Sequence, residues 1–163
     1  MRRTIICGID GSADSQAALA VAAHLSARLG STLVVAHVAE PAHFPSAAPA
    51  AFSGSAGRSA LIEGIESREE VAERLLEDMV SVTGLVDAER RAVLGDPAER
   101  LADLADEEDA ELIVVGSRGR GAFRAAFLGS VSNSLVGVAR CPVLIVPPGA
   151  TEAPLTRASR YGS

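Results

Sequence analysis

The chain is predicted to be an α/β domain built on a five-stranded parallel, doubly wound sheet with helices on both faces. Three observations predict it. Short apolar runs of strand character alternate with longer stretches of helical periodicity, in the order β-α-β-α-β-α-β-α-β. Parallel neighbours need a crossover, and a helix supplies it with the right hand. The 163 residues suit one domain, and 48% hydrophobic residues can fill its core. Aromatic residues make up only 3%, so that core must be packed mainly by Ala, Val, Leu and Ile.

The first strand is expected over Arg3–Ile9, a continuous apolar run of the kind buried on both faces of a parallel sheet. It stops at Asp10-Gly11, too soon for the apolar core of a signal peptide. Ser12 is the expected N-cap of the next helix, with Asp14 in its first turn where negative charge suits the macrodipole. Ala18, Ala22, Leu25 and Leu29 recur at helical spacing, and Gly30 closes the helix. The β-branched run Thr32–Ala39 is the second strand, and its His37 is expected to be a satisfied core residue.

Residues 41–60 are rich in Pro, Ala, Ser and Gly and lack periodicity, which predicts a flexible insertion loop. A helix is expected from near Leu61 to Val82, with Ala72, Leu75, Leu76 and Met79 on its apolar face and Gly84 ending it. Val86–Leu94 is the third strand, less apolar than the others and so placed at an edge. Gly95-Asp96-Pro97 opens the next helix, with Asp96 as cap, Pro97 at its first position and Glu99 at the capping-box position. Ala98, Leu101, Leu104 and Ala105 should face the core. The acidic run Asp106, Glu107, Glu108 and Asp109 is read as a solvated helix end rather than a metal site.

The stretch that carries chemistry runs from Leu112 to Val146. A strand of Leu112, Ile113, Val114 and Val115 stops at Gly116, a Gly- and Arg-rich loop follows, and a helix begins near Ser132 and runs to Ala139, with Leu135 and Val138 inward. Strand, glycine loop and helix start make an anion cradle. The first amides of a helix lack intrahelical partners and sit at the positive end of its dipole. Glycines let the loop backbone approach a ligand closely. The last strand is Val143–Val146, and residues 148–163 are expected to be a disordered tail beyond a 1–147 domain.

Spacing decides the kind of cradle. A Walker A loop is excluded, since the chain has no GxxxxGK[ST] and no lysine at all. The dinucleotide fingerprint fails too, because Gly119-Arg120-Gly121 is followed by Ala122, Phe123 and Arg124. Present instead are Gly116, two residues, Gly119, nine residues, then Gly129 and Ser130. This pattern, flanked by "ELIVVGSRG", "LGSVS" and "CPVLIVP", resembles the ATP-binding signature of the universal stress protein family.

The resemblance implies a Rossmann-like sheet of strand order 3-2-1-4-5, with the ligand at the switch point where strands one and four lie side by side. It implies that Gly8, Ile9 and Asp10 frame the nucleoside at the exit of strand one. Asp10 would accept from a ribose hydroxyl or approach a phosphate-bound Mg2+; its alternative is to cap the following helix. Val38 matches the position whose backbone meets the adenine edge. Val115 and Gly116 line the nucleoside, Gly119 and Gly129 bring amides to the phosphates, and Ser130, Val131 and Ser132 supply donors at the helix start. Of the loop arginines, Arg118 and Arg120 are the candidates for a phosphate contact.

The function so implied is an ATP-binding, nucleotide-sensing regulatory module of stress or growth arrest, acting on a protein partner the sequence does not name. The cofactor is ATP, carried with Mg2+, and the assembly a homodimer through Val143–Val146. No positioned carboxylate, lysine or histidine is evident for phosphoryl transfer, which describes a binder with at most slow hydrolysis. A slow ATPase and a dimeric interaction module without nucleotide remain the alternatives. The net charge of −6 gives no basic footprint for nucleic acid. No apolar run approaches the roughly 20 residues that span a membrane. Cys7 and Cys141 lie in apparent strands, and no disulfide or zinc site is expected of them. A cytoplasmic location is expected.

Overall fold

Five consecutive residues, Thr4–Gly8, form β1, and every one of them is buried. That follows from its place at the centre of an all-parallel sheet of order β3-β2-β1-β4-β5. The structure is a computed structural model that describes residues 3–40, 70–81, 85, 87–119 and 128–150. The elements run β1, α1 (Ala13–Leu29), β2 (Thr32–Ala39), helical residues 70–81 (α2), β3 (Glu89–Leu94), α3 (Pro97–Glu107), β4 (Ala110–Gly116), α4 (Ser130–Val138) and β5 (Val143–Val146). The expected fold class and strand order are both present. The expected insertion at 41–60, the helix start near Leu61, Gly84, Val86 and the chain beyond 150 lie outside the described residues.

Strand β1 pairs Thr4–Gly8 with Thr32–Ala36 of β2 on one side and reaches Val115 of β4 from Gly8 on the other. Alternate residues of β1 and of its exit at Ile9 then feed two cores. Ile5, Cys7 and Ile9 join α1 and α2 residues such as Leu19, Leu76 and Met79 on one face. Ile6 joins Leu101, Leu104 and Leu135 of α3 and α4 on the other. This is the period-2 geometry of a strand covered on both sides.

Local chemistry sets the helix ends. The Ser12 hydroxyl accepts from the Ser15 amide, and Gly30 takes the left-handed C-cap conformation at φ 67°. Asp96 accepts from the amides of Ala98 and Glu99, with Pro97 in the first turn. Ala98, Leu101, Leu104 and Ala105 are buried as expected. Strand β3 is an edge, and its Arg91 pairs with Glu89 at 3.2 Å and Glu108 at 3.1 Å. Asp106 pairs with Arg140 at 3.1 Å. Among the described residues no three His, Cys, Asp or Glu side chains gather to hold a metal.

Three expectations are corrected. Helix α4 starts at Ser130, two residues early, because Gly129 is the extended N-cap and its carbonyl takes the Asn133 amide. Val138 points out, with 46% of its surface exposed. The buried stripe of α4 is centred on Ser132 and Leu135, and Val138 lies about a quarter turn away from it. Cys141 is two residues short of β5 rather than within it, whereas Cys7 is buried in β1; both are free thiols.

Candidate functional site

The chain leaves β1 toward α1 on one face of the sheet, while β4 is reached from α3 on the other. Between those departures the carboxyl ends of β1 and β4 form a crevice. A cavity of about 470 Å³ opens there. Its floor is made by Gly8, Ile9 and Asp10 from β1, Ala36 and Val38 from β2, and Val115 and Gly116 from β4. Pro97 and Leu101 of α3 close one side, and Gly129, Ser130, Val131 and Ser132 at the start of α4 close another. A floor this short needs small residues. A Cβ on Gly8 would stand 2.7 Å from Leu101 Cδ1.

The loop wall is organised by one residue, Ser117, only 6% exposed. Its amide donates to the Val146 carbonyl at 2.8 Å, which ties the exit of β4 to the end of β5. Its carbonyl accepts from the Gly129 amide at 2.7 Å and from Ser132 Oγ at 3.0 Å, which docks the start of α4. Its own hydroxyl donates to Asp14 Oδ2 at 2.9 Å, which docks the start of α1. The N-termini of α1 and α4 are therefore fastened to a single turn. Gly129 supplies no side-chain cap, so α4 presents its first amides at the cavity wall beside Ser130.

The charged residues that line the cavity, among those described, are Asp10, Glu40 and Arg118. Asp10 Oδ1 accepts from the Ser12 amide at 3.0 Å, an Asx-type turn helped by Gly11 at φ 81°. Its other oxygen lies where a Cβ on Gly119 would come within 2.6 Å. Arg118 is turned toward Asp14, with Nε to Oδ2 at 3.4 Å. His37 Nδ1 meets the Ile9 carbonyl at 2.8 Å, and since a carbonyl only accepts, Nδ1 carries the proton. That bond gives Nδ1 a partner within the fold, but His37 is half-buried rather than the core residue expected.

The profile of the universal stress protein family matches residues 1–147. The chain belongs to this family. A universal stress protein of Thermus aquaticus is 35% identical over 146 residues, covering 90% of this chain and 99% of that one. Against universal stress protein Rv2005c of Mycobacterium tuberculosis the identity is 33% over 146 residues, and the chain spans 47% of its length. A solved universal stress protein in complex with cAMP is 31% identical at a TM-score of 0.58, covering 90% of this chain and 97% of that one.

In this member of the family, twelve sequence-nominated positions line this cavity together: Gly8, Ile9, Asp10, Val38, Val115, Gly116, Arg118, Gly119, Gly129, Ser130, Val131 and Ser132. Arg120, the remaining candidate, lies outside the described residues, as does Arg124. Asp10 is not the helix cap; that role falls to Ser12, and Asp10 instead shapes the turn that leads to it.

Sequence reasoning missed Ser15, Ala36, Glu40, Pro97, Leu101 and Leu128 on the wall. Two of these carried a signal. Ala36 shares the strand face of Val38 by the period of two, and Leu101 follows Pro97 by about one helical turn. Ser117 was missed as well, because its part in the site rests on distant partners.

Proposed function

We propose that the chain is a nucleotide-sensing universal stress protein that binds ATP in the β1/β4 crevice. The observation that carries this reading is the junction of a mostly apolar floor with the open start of α4. A nucleoside fits against Val38, Val115 and Leu101, and its phosphates fit the amides at Gly129–Ser132. The Asp10 carboxylate is suited to a ribose hydroxyl or to a Mg2+ that arrives on the phosphates. Magnesium there would neutralise phosphate charge. The family neighbour in complex with cAMP supports an adenine nucleotide as the ligand class.

Occupancy is read out by the turn at Ser117, because phosphate at α4 acts on the residues that also fasten α1 and β5. We assign the protein to the cytoplasm as a stress-response regulator. Its dimer forms through the open edge of β5, the last strand of the sheet. Light scattering should give the mass of two chains; the mass of one would remove that assembly.

The deciding experiment is calorimetric titration with ATP and Mg2+, beside a Gly129→Val control. A Cβ at 129 already comes 3.3 Å from Arg118 Cα, so the larger side chain crowds the phosphate wall. Saturable binding that is lost in the control is expected. A folded wild-type protein that takes up no heat with ATP, AMP or cAMP would overturn the reading.

A further inference from the structure

One buried carboxylate beside the site has no place among the ligand contacts proposed above. Asp14, in the first turn of α1, is 8% exposed and does not line the cavity. Its Oδ2 takes both Ser117 Oγ at 2.9 Å and Arg118 Nε at 3.4 Å. Arg118 does line the cavity, and among the described residues it is the one cation that does. A carboxylate removed from water is retained only where a partner offsets its desolvation, and this partner is the residue best suited to phosphate. The pair carries no net charge, so at the distance of a bound phosphate chain the guanidinium acts as one end of a dipole. Asp10 and Glu40 are the other charged lining residues among those described, both negative.

We propose that Asp14 sets how strongly the site distinguishes nucleotides by phosphate number: it cancels the charge of Arg118 and so limits what each added phosphate gains. This deepens the nucleotide reading above and rests on it. The bonds to Oδ2 need one acceptor oxygen, not a charge. An asparagine oxygen in that place can take both Ser117 Oγ and Arg118 Nε, which separates charge from geometry.

The test is titration of the wild type, Asp14→Asn, Arg118→Gln and the double variant with adenosine, AMP and ATP at low and high salt. In Asp14→Asn, adenosine affinity should move less than twofold, while AMP tightens about threefold and ATP roughly tenfold. The gain should shrink in high salt, where the Debye length falls to about 3 Å at 1 M. Arg118→Gln should move the ATP-to-AMP ratio the opposite way. The double variant, which removes a neutral pair, should return that ratio to within about twofold of wild type.

An equal shift for all three ligands in Asp14→Asn, or no return in the double variant, would make Asp14 a packing residue and overturn the proposal. Asp14→Ser removes the same charge with a smaller side chain and carries the test should the asparagine variant not fold. Wild-type protein that binds none of the ligands defeats the nucleotide reading and this proposal together. Wild-type binding with a uniform shift in Asp14→Asn defeats this proposal alone.

Discussion

The backbone of Asp14 lies directly over Gly116: a Cβ at 116 would stand 2.7 Å from the Asp14 carbonyl carbon and 2.8 Å from its oxygen. The obstacle is main chain in the first turn of α1, so no rotamer change relieves it. Gly116→Ala should therefore push α1 off the exit of β4 and destabilise the fold by roughly 1–3 kcal/mol. Thermal melting is the measurement. A melting temperature within a degree of wild type would show that the helix start yields freely.

Ser132 is 2% exposed, and its hydroxyl donates to the carbonyls of Ser117 at 3.0 Å and Gly129 at 3.1 Å. Ser132→Ala keeps the volume nearly unchanged and removes that donor. The Ser117 carbonyl retains the Gly129 amide, so no acceptor is left wholly unpaired. The expected cost is about 1 kcal/mol. It should show as a lower urea midpoint with an unchanged denaturant slope. An unmoved midpoint would mean that α4 is docked by its apolar contacts alone.

The fold was legible because its punctuation is local. Ser12, Gly30, Asp96 and Pro97 act within a few residues of their own positions, and the structure uses each as the sequence predicts. The cavity positions were legible through the resemblance to the universal stress protein family that the spaced Gly116, Gly119 and Gly129 carry. What could not be read depends on distance along the chain. Ser117 meets Asp14 across 103 positions, and nothing in "GSRG" or "GSADS" marks that pair. Val138 misled for a related reason: a buried serine, held by a bond to the neighbouring turn, sets the inner face of α4 where apolar spacing alone selects a valine.

Cys7 is fully buried in β1, and desolvation pushes its thiol from 9.0 up to about 12. Between those values the unfolded chain releases a proton that the native state keeps. The unfolded state then binds fewer protons, so stability falls as pH rises from about 9 toward 12, with a limiting slope near 1.4 kcal/mol per pH unit. The chain has no lysine and one tyrosine, which leaves few other side chains to titrate there. Cys7→Ala should flatten this slope, measured as urea stability against pH. The Cys141 thiol is also raised by burial, but it lies only partly covered in the turn before β5. A thiol reagent at neutral pH should therefore label Cys141 first and reach Cys7 only with unfolding. Equal labelling rates in native protein would contradict the burial of Cys7.

Gly119 shares the glycine pattern with Gly116, yet its constraint differs in kind. A Cβ at 119 would come 2.6 Å from Asp10 Oδ2, and the next nearest atom is Asp10 Cγ at 3.8 Å. The obstacle is the far end of a side chain, which can rotate away at little cost to the fold. Gly119 also has no positive φ to lose. Gly119→Ala should therefore melt within about 2 °C of wild type. The displaced carboxylate, however, belongs to the residue assigned to the ribose or to magnesium. Nucleotide affinity should fall by roughly tenfold, the loss of about one hydrogen bond to a charged group. Calorimetry beside the melt separates the two glycines: Gly116→Ala loses stability, and Gly119→Ala loses affinity first. Wild-type affinity in Gly119→Ala would remove Asp10 from the contacts that hold the ligand.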